Sequence, residues 1–247
     1  MTRRNAVPLI RALLLCAILA LARIACAGTM TEQAWLLGSE RIVDATKPGA
    51  ALQTSELGGL LEVGDVLFIR VTPLPFRKIA ATTRSWTNHV GVVVDVSGKE
   101  PLIAESTFPL SKGTPLSRFV TRSESGRVAV ARLNMTLTAQ QRSAIRASAK
   151  KRAGIFYDTS FNLHSSGQFC SRFVREVIEE AVGVKLGSIE TFSQLLAQNP
   201  DADRDFWKLW FFGNIPWQRE TVTPASLLES PALYRVFDGY ANGQRAT

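Results

Sequence analysis

The chain consists of a β-rich part followed by a helix-rich part. Four short runs of strand-favouring residues lie in the first part and are separated by turn residues: VLFI at 66–69, HVGVVVDV at 89–96, PLIAEST at 101–107 and RVAVARL at 127–133. From residue 138 onward, apolar residues recur at helical spacing instead. Strands that precede helices in this way predict an α+β fold, with an antiparallel sheet packed against helices.

Capping residues predict four helices in the second part, at 139–153, from Cys170 to Gly183, at 189–197 and from Thr223-Pro224 onward. The first of them begins at a capping box, because Thr138 is followed three residues later by Gln141. Earlier in the chain, Gly58-Gly59 predicts a break and the two prolines at 73–75 predict an irregular connection.

The first residues have the composition of a secretory signal. Three arginines precede an uninterrupted apolar run at 12–22, and the small residues Ala25 and Ala27 follow it. The run is shorter than the roughly 20 apolar residues of a membrane-spanning helix. We therefore expect a signal peptide at 1–27 and a single domain at 28–247, located in the periplasm or secreted.

Two alternatives to simple cleavage stay open. Cys26 stands where a lipoprotein carries its lipid, although Arg23 occupies a position at which such signals have an aliphatic residue. The segment is also able to remain as an uncleaved anchor. Contact with a membrane is expected only in these two cases.

The charge balance argues against a nucleic-acid partner. The chain has 29 Lys and Arg, 21 Asp and Glu and a formal net charge of +8. Loss of residues 1–27 removes four arginines and no acidic residue, which leaves 25 basic side chains against 21 acidic ones. The excess of positive charge therefore belongs largely to the targeting segment, and no basic stripe remains for nucleic acid.

A single thiol follows the signal segment. Cys16 and Cys26 lie within that segment, so Cys170 has no partner for a disulfide in the mature chain. An unpaired thiol in a secreted protein is either buried or reactive. Cys170 falls in the first turn of a predicted helix, where the helix dipole favours a thiolate. We take Cys170 as the candidate nucleophile, with a small buried core residue as the alternative.

A thiol nucleophile needs a base, and the mature chain has two histidines. His89 opens the clearest strand, which places it at a sheet end that can face a helix packed across the sheet. His164 lies in a polar loop and is read as a solvated residue or a substrate contact. The sequence therefore predicts His89 as the base.

A third group has to orient the imidazole. Glu105, on the returning strand of the hairpin, is the predicted residue, with Asn88 and Asp65 as alternatives. If the four turn residues 97–100 set the register, Glu105 and His89 point to opposite faces of the sheet. We therefore expect a loop of odd length or a bulge, because otherwise Glu105 is an exposed charge.

We expect no metal and no cofactor. The histidines and the thiol are scattered along the chain without the spacing of metal ligands. The sequence also has no glycine-rich loop of the kind that binds phosphates.

Five motifs together resemble the permuted papain-like amidases of the YiiX, YaeF and YebB kind, within the NlpC superfamily. The motifs are GDVLFIR at 64–70, NHVGVVVD at 88–95, IAEST at 103–107, YDTSF at 157–161 and FCSRFV at 169–174. As in that permuted group, the histidine strand precedes the cysteine helix. The ending TVTPASLLESPAL at 221–233 is most similar to the YebB-like branch.

The resemblance implies a circularly permuted papain-like (NlpC-type) fold with Cys170 as nucleophile, His89 as base and Glu105 as the third catalytic residue. It also implies that three further residues line the substrate site: Tyr157, Asn88 and Arg172. Related sequences often have an acidic residue at the position of Arg172, so the chain departs from the family pattern there.

The predicted function is that of an exported cysteine hydrolase of the amidase or peptidase type. In the predicted order, its substrate is a cell-wall peptide, such as one within peptidoglycan, or an N-acyl amide. A lipid acyltransferase or thioesterase of the same fold is the next alternative, and a non-catalytic envelope binding protein is another. The aromatic segment 206–217 (FWKLWFFGNIPW) is either core packing or an apolar groove or lid, and a groove would favour an acyl substrate.

Overall fold

The computed structural model describes residues 49–241. The predicted signal peptide at 1–27 and the lipidation candidate Cys26 lie outside the described residues, so both stay predictions. No helix among residues 49–241 is long and apolar enough to cross a membrane.

Seven strands form one sheet, in the order β1-β9-β6-β2-β3-β4-β5. Neighbouring strands pair antiparallel except for β1 and β9, which are parallel. A two-stranded ribbon joins β7 to β8. The strands are β1 (Ala50–Leu52), β2 (Val66–Val71), β3 (His89–Asp95), β4 (Leu102–Glu105), β5 (Lys112–Pro115), β6 (Ser123–Leu133), β7 (Glu190–Thr191), β8 (Glu220–Thr221) and β9 (Leu233–Ala241).

The described residues also form eight helices. They are α1 (Thr54–Leu60), α2 (Leu74–Thr82), α3 (Leu116–Thr121), α4 (Ala139–Lys151), α5 (Cys170–Val182), α6 (Phe192–Gln198), α7 (Arg204–Trp210) and α8 (Pro224–Leu228). The architecture confirms the predicted α+β class with a mostly antiparallel sheet.

Helix α5 packs across the sheet and carries the candidate nucleophile at its first position. Its apolar residues Phe173, Val174, Val177 and Ile178 are buried in the core, in contact with β3 and α4. The helix ends at Gly183, whose φ of 75° is the left-handed conformation of a glycine C-cap. Both predicted ends of this helix are confirmed.

A bulge in the hairpin of β3 and β4 decides which side chains share a face. Asp95 pairs with Leu102, whereas Val93 pairs with Ile103, so the register shifts by one residue between them. The shift places Glu105 opposite Gly91 and hence on the face that carries His89. The predicted bulge is confirmed, and it corrects the register that the turn alone would give.

Two local predictions are wrong. The Gly58-Gly59 pair lies inside α1 and does not break it, because a capping box between Gln53 and Glu56 starts the helix. A side chain at Gly58 would meet Pro101 at 3.3 Å, so the glycine allows close packing there. The connection predicted at 73–75 is in fact the start of α2, since a proline is well suited to the first turn of a helix.

Candidate active site

Cys170 opens α5 at the buried end of a tightly held loop. Gln168 and Tyr157 form a bridge, and Asp158 N donates to the Gln168 oxygen at 2.7 Å. The side chain of Asp158 accepts hydrogen bonds from the backbone N–H groups of Ser160 and Asn162, which folds the loop upon itself. This loop therefore delivers the thiol and Tyr157 to the same region.

His89 is fixed by the residues just before it. The Asn88 side chain pairs with the backbone of Val71 in both directions, at 2.7 and 2.9 Å, and Thr87 Oγ1 donates to the Ile69 oxygen at 2.8 Å. These bonds attach the start of β3 to the end of β2. The His89 side chain is consequently held in one place, with only 1% of the residue exposed.

His89 and Glu105 form a buried pair. His89 Nε2 lies 2.5 Å from Glu105 Oε2, and Glu105 is fully buried. The imidazole ring lies between two phenyl rings, with centroids 6.3 Å away for Phe76 and 5.8 Å away for Phe119. The position predicted for an orienting carboxylate is therefore occupied by Glu105.

Two residues that the sequence analysis missed complete the environment of this carboxylate. Arg122, which caps the C-terminus of α3, places Nη2 at 2.8 Å and 2.7 Å from the two Glu105 oxygens. Thr114 Oγ1 on β5 donates to Glu105 Oε1 at 2.6 Å. No local motif marks either residue, because both contacts depend on how β4, β5 and α3 pack together.

These contacts shift the pKa values of the pair in opposite directions. Burial on its own would raise the pKa of Glu105, but the hydrogen bond and charge of His89, followed by those of Arg122, lower it to about 2. Burial on its own would lower the pKa of His89. The nearby Cys170 sulfur, followed by the hydrogen bond and charge of Glu105, raises that pKa to about 9.

Cys170 lies near enough to the His89 ring to raise its pKa. Nε2 of the ring is already occupied by Glu105. Nδ1 is buried and has no hydrogen-bond partner within residues 49–241, so it is the nitrogen left for the thiol. The structure thus brings together all three residues predicted as catalytic.

Tyr157 lies at the same thiol. Burial, then the charge and hydrogen bond of Cys170, raise the pKa of Tyr157 well above its usual range, so the phenol stays protonated. Its hydroxyl is buried without a hydrogen-bond partner among the described residues. Tyr157 is therefore a free donor beside Cys170, and its part in the substrate site stays a prediction.

The other two residues predicted to bind substrate have their polar groups engaged elsewhere. The Asn88 amide is used by the Val71 backbone, so Asn88 positions His89. Arg172 Nη1 donates to the oxygens of Ser165 and Gly167 at 2.8 Å each, and Nε donates to Glu176. Arg172 clamps the loop and does not line the cavity at Cys170, which corrects the prediction.

The alternative candidates lie away from the pair. His164 is exposed, and its Nε2 lies 2.7 Å from Glu220. Asp65 forms an ion pair with Arg132, with Oδ1 at 2.7 Å from Nε, and takes no part in holding His89. Neither residue competes with His89 and Glu105 for the predicted roles.

A narrow cavity of about 40 Å³ reaches Cys170. It has no charged lining residue, and most of its walls are apolar: Ile79, Phe161, Phe169, Phe192, Leu195, Trp207, Val222 and Pro224. Several polar lining groups are engaged within the protein, since Thr82 accepts from Trp207 Nε1 and Ser171 donates to the Val222 oxygen. The free polar groups are the Thr221 and Tyr157 hydroxyls and the thiol.

The aromatic segment 206–217 contributes both to this cavity and to the surface. Trp207 is buried and lines the cavity, which agrees with core packing. On the outer side of α7, Leu209 is 79% exposed and Phe212 is fully exposed, beside an apolar groove of about 610 Å³. Core packing and a groove are thus both present, on opposite sides of one helix.

Comparison with known proteins agrees with this geometry. A family model described as "Permuted papain-like amidase enzyme, YaeF/YiiX, C92 family" matches residues 60–237, which include every residue of the candidate site. The chain belongs to this family. Membership supports a cysteine hydrolase of the papain type and the permuted papain-like fold.

Two relatives from Escherichia coli show the same relationship. The uncharacterized protein YiiX of strain K12 is 27% identical over 175 residues, which cover 71% of this chain and 85% of that protein. The crystal structure of the metalloprotein yiiX from strain O157:H7 (DUF1105) has a TM-score of 0.67 and 27% identity, and covers 72% of this chain and 98% of its own. The similarity therefore spans nearly the whole of that fold.

The name metalloprotein belongs to that relative. Among residues 49–241, no three His, Cys, Asp or Glu side chains come together as a group able to hold a metal ion. Glu105 is instead saturated by His89, Arg122 and Thr114. The donor set fits an ion-paired cysteine site, and no step is assigned to a metal.

The Glu105 network makes a prediction about stability and pH. Glu105→Gln is expected to lower the free energy of unfolding by about 3–5 kcal/mol at pH 7, because it leaves the charge of the buried His89 ring uncompensated. The lowered pKa of Glu105 means that this contribution is present above pH 4.5 and is lost as the pH falls through about 2. Denaturant unfolding of both proteins between pH 2 and 7 measures the difference.

Glu124→Gln is the matched control, because Glu124 forms an exposed ion pair with Arg70. That change is expected to alter stability by less than about 1 kcal/mol. A Glu105→Gln effect that is the same at pH 2 and pH 7 would contradict the assignment of a buried, ionised carboxylate.

Proposed function

We propose that the chain is an exported cysteine amidase that forms an acyl-enzyme on Cys170. The observation that supports it most is the state of the His89 ring. One ring nitrogen is held by buried Glu105 at 2.5 Å, and the other is buried without a partner and is left to face the Cys170 thiol. Acyl transfer by a thiol needs a nucleophile, a base and an orienting group in this spatial order.

In the proposed reaction, Cys170 reacts as the thiolate beside a protonated His89, whose pKa of about 9 keeps the ring charged at neutral pH. The Cys170 sulfur attacks the carbonyl carbon of the substrate and forms a tetrahedral intermediate. The C–N bond then breaks, and the leaving amine takes the proton from His89. The products of this half-reaction are a thioester on Cys170, a neutral His89 and the free amine.

Neutral His89 then acts as a general base in the second half-reaction. It takes a proton from water, and the resulting hydroxide attacks the thioester carbonyl. The C–S bond breaks, which releases the carboxylic acid and restores the thiolate and imidazolium. Glu105 stays ionised throughout and stabilises the imidazolium.

Two donors are available for the oxyanion of both tetrahedral intermediates. The backbone N–H of Cys170 is at the start of α5 and so has no partner within the helix. The Tyr157 hydroxyl is protonated, buried and unpaired beside the sulfur. Preorganised donors of this kind stabilise the charge that develops in the transition state.

The cavity favours an N-acyl amide over a cell-wall peptide as the substrate. A wall peptide with ionised groups would leave charges unpaired among apolar side chains, which is strongly unfavourable. A short acyl group can instead enter the space near Phe161, Phe192 and Trp207 while its carbonyl meets Cys170 and Tyr157. The same cavity also suits a thioester or ester substrate, which keeps a lipid thioesterase or acyltransferase as the second candidate.

A product analysis separates these substrates. Purified protein of residues 28–247 is incubated with N-butyryl glycinamide or with soluble peptidoglycan fragments, and the products are identified by mass spectrometry. We expect free butyric acid and a butyryl adduct on the peptide that contains Cys170. Cleavage of the peptidoglycan fragments alone would overturn the order of substrates, and cleavage of neither, with no adduct, would overturn the hydrolase proposal.

Location is the part of the proposal that depends on residues outside the described region. The signal-like segment at 1–27 supports export to the periplasm or the medium, with lipidation at Cys26 or an uncleaved anchor as the alternatives. Mass analysis of the mature N-terminus from cell fractions distinguishes the three. An uncleaved chain in the cytoplasm would contradict export.

A further inference from the structure

We propose that Arg122 is a positioning residue that acts on the Cys170 and His89 pair through Glu105, without contact with the reacting atoms. The proposal rests on the proposed function, because it assigns Arg122 a part in the same reaction. The site then has four groups in series: the Cys170 thiol, the His89 ring, the Glu105 carboxylate and the Arg122 guanidinium.

The first support is the geometry of the carboxylate. Arg122 Nη2 contacts both Glu105 oxygens, at 2.7 and 2.8 Å, and Thr114 binds Oε1 at 2.6 Å. Apart from His89 itself, Thr114 holds only Oε1, whereas Arg122 also holds Oε2, the oxygen that contacts His89 Nε2. Arg122 therefore restrains the oxygen that orients the imidazole.

The second support is shared packing. The Arg122 guanidinium lies over the Phe119 ring at 5.2 Å from its centroid, and the centroid of the same ring lies 5.8 Å from that of His89. Phe119 thus contacts both the guanidinium of Arg122 and the imidazole of His89. A cation over an aromatic face gains further stabilisation from the ring.

The third support is the balance of charge around His89. Four titratable or charged groups act on the ring or on its partner: Cys170 on α5, Glu105 on β4, Tyr157 in the loop before α5, and Arg122 after α3. Tyr157 stays neutral. Among the described residues, Arg122 is therefore the cation that, after the His89 ring itself, helps to keep buried Glu105 ionised, and it contacts both carboxylate oxygens.

Arg122 is also accessible from outside, which allows a direct test. Its side chain is 34% exposed, in a groove of about 500 Å³ that is also lined by His89, Phe76 and Phe108. A small cation can enter this groove from solvent. Removal of the side chain therefore leaves a space that free guanidinium can fill.

The experiment compares Arg122→Ala with wild type on the substrate established for the enzyme by product analysis. We expect kcat to fall about 10- to 100-fold with little change in KM, because Arg122 supports a residue that orients the base. Guanidinium chloride at concentrations too low to unfold the protein should restore much of the lost kcat, whereas urea or sodium chloride should not. Arg118→Ala, on the exposed side of α3, is the matched control and should keep wild-type activity.

A second measurement is independent of any substrate. The titration of His89 is followed by NMR in wild type, Arg122→Lys and Arg122→Ala. The pKa of about 9 in wild type should rise in Arg122→Ala, because the charge of Glu105 is then shared with the imidazolium alone, and it should return toward the wild-type value in Arg122→Lys, which keeps the cation.

These readouts separate the two proposals. An active wild type with an equally active Arg122→Ala, or an unchanged His89 titration, overturns the role of Arg122 and leaves the amidase proposal standing. If urea restored the lost kcat of Arg122→Ala as well as guanidinium does, Arg122 would act only by filling space. A wild type that is inactive on every acyl amide and peptide tested overturns the function itself, whatever the His89 titration shows.

Discussion

Cys170→Ala is expected to lower hydrolysis by about 10⁴-fold or more, because the change removes the atom that forms the acyl-enzyme. Cys170 is the sole cysteine after residue 27, so no second thiol can substitute for it. The residue is buried in the core, and alanine replaces it without adding volume. Steady-state rates on the acyl amide and the mass of the intact protein after reaction measure the effect.

The folding of Cys170→Ala has to be checked alongside its activity. The variant should show the circular dichroism spectrum of wild type and should no longer form an acyl adduct. Retained activity in a folded Cys170→Ala protein would mean that the thiol is a core residue and that the reaction occurs elsewhere.

His89→Ala is expected to lower kcat/KM by about 10³-fold, which is within the usual contribution of a general acid and base. In wild type, kcat/KM should also fall as the pH rises through about 9. At that pH His89 loses the proton that the leaving amine needs, as its raised pKa requires. The pH profiles of wild type and variant, measured between about pH 5 and 10, show whether this alkaline decrease depends on His89.

His164→Ala is the matched control, since it removes the second histidine of the mature chain from an exposed position. Its rate and pH profile should be those of wild type. If His164→Ala lost the activity and His89→Ala kept it, the assignment of the base would be wrong.

Much of the fold and the central pair could be predicted because their signals are local. The strand from His89 and the helix from Cys170 to Gly183 are marked by short apolar patterns and a glycine stop. The fold that unites them is not local, and it was predicted through the resemblance of five motifs to a known family. Strand β9, whose residues are only partly buried, has no comparable apolar run and was missed.

The rest of the site depends on tertiary contacts. Arg122 reaches Glu105 because α3 ends beside β4, and nothing in the sequence near either residue indicates that contact. The family resemblance implied that Arg172 lines the substrate site, but its side chain points toward the loop before α5. Residues that are close in the sequence are therefore not always close in space. For both Arg122 and Arg172, the packing of the surrounding elements sets the direction in which the long side chain points.

The pairing of His89 with Cys170 is tested most directly by the rate at which iodoacetamide alkylates Cys170 as a function of pH, in wild type and in His89→Ala. If the thiol and the imidazole form an ion pair, wild type should react at least about tenfold faster than the variant near pH 6, because the pair supplies thiolate there. The two rates should approach each other at high pH. Profiles that coincide across the whole range would show that His89 does not act on Cys170 and would contradict the proposed active site.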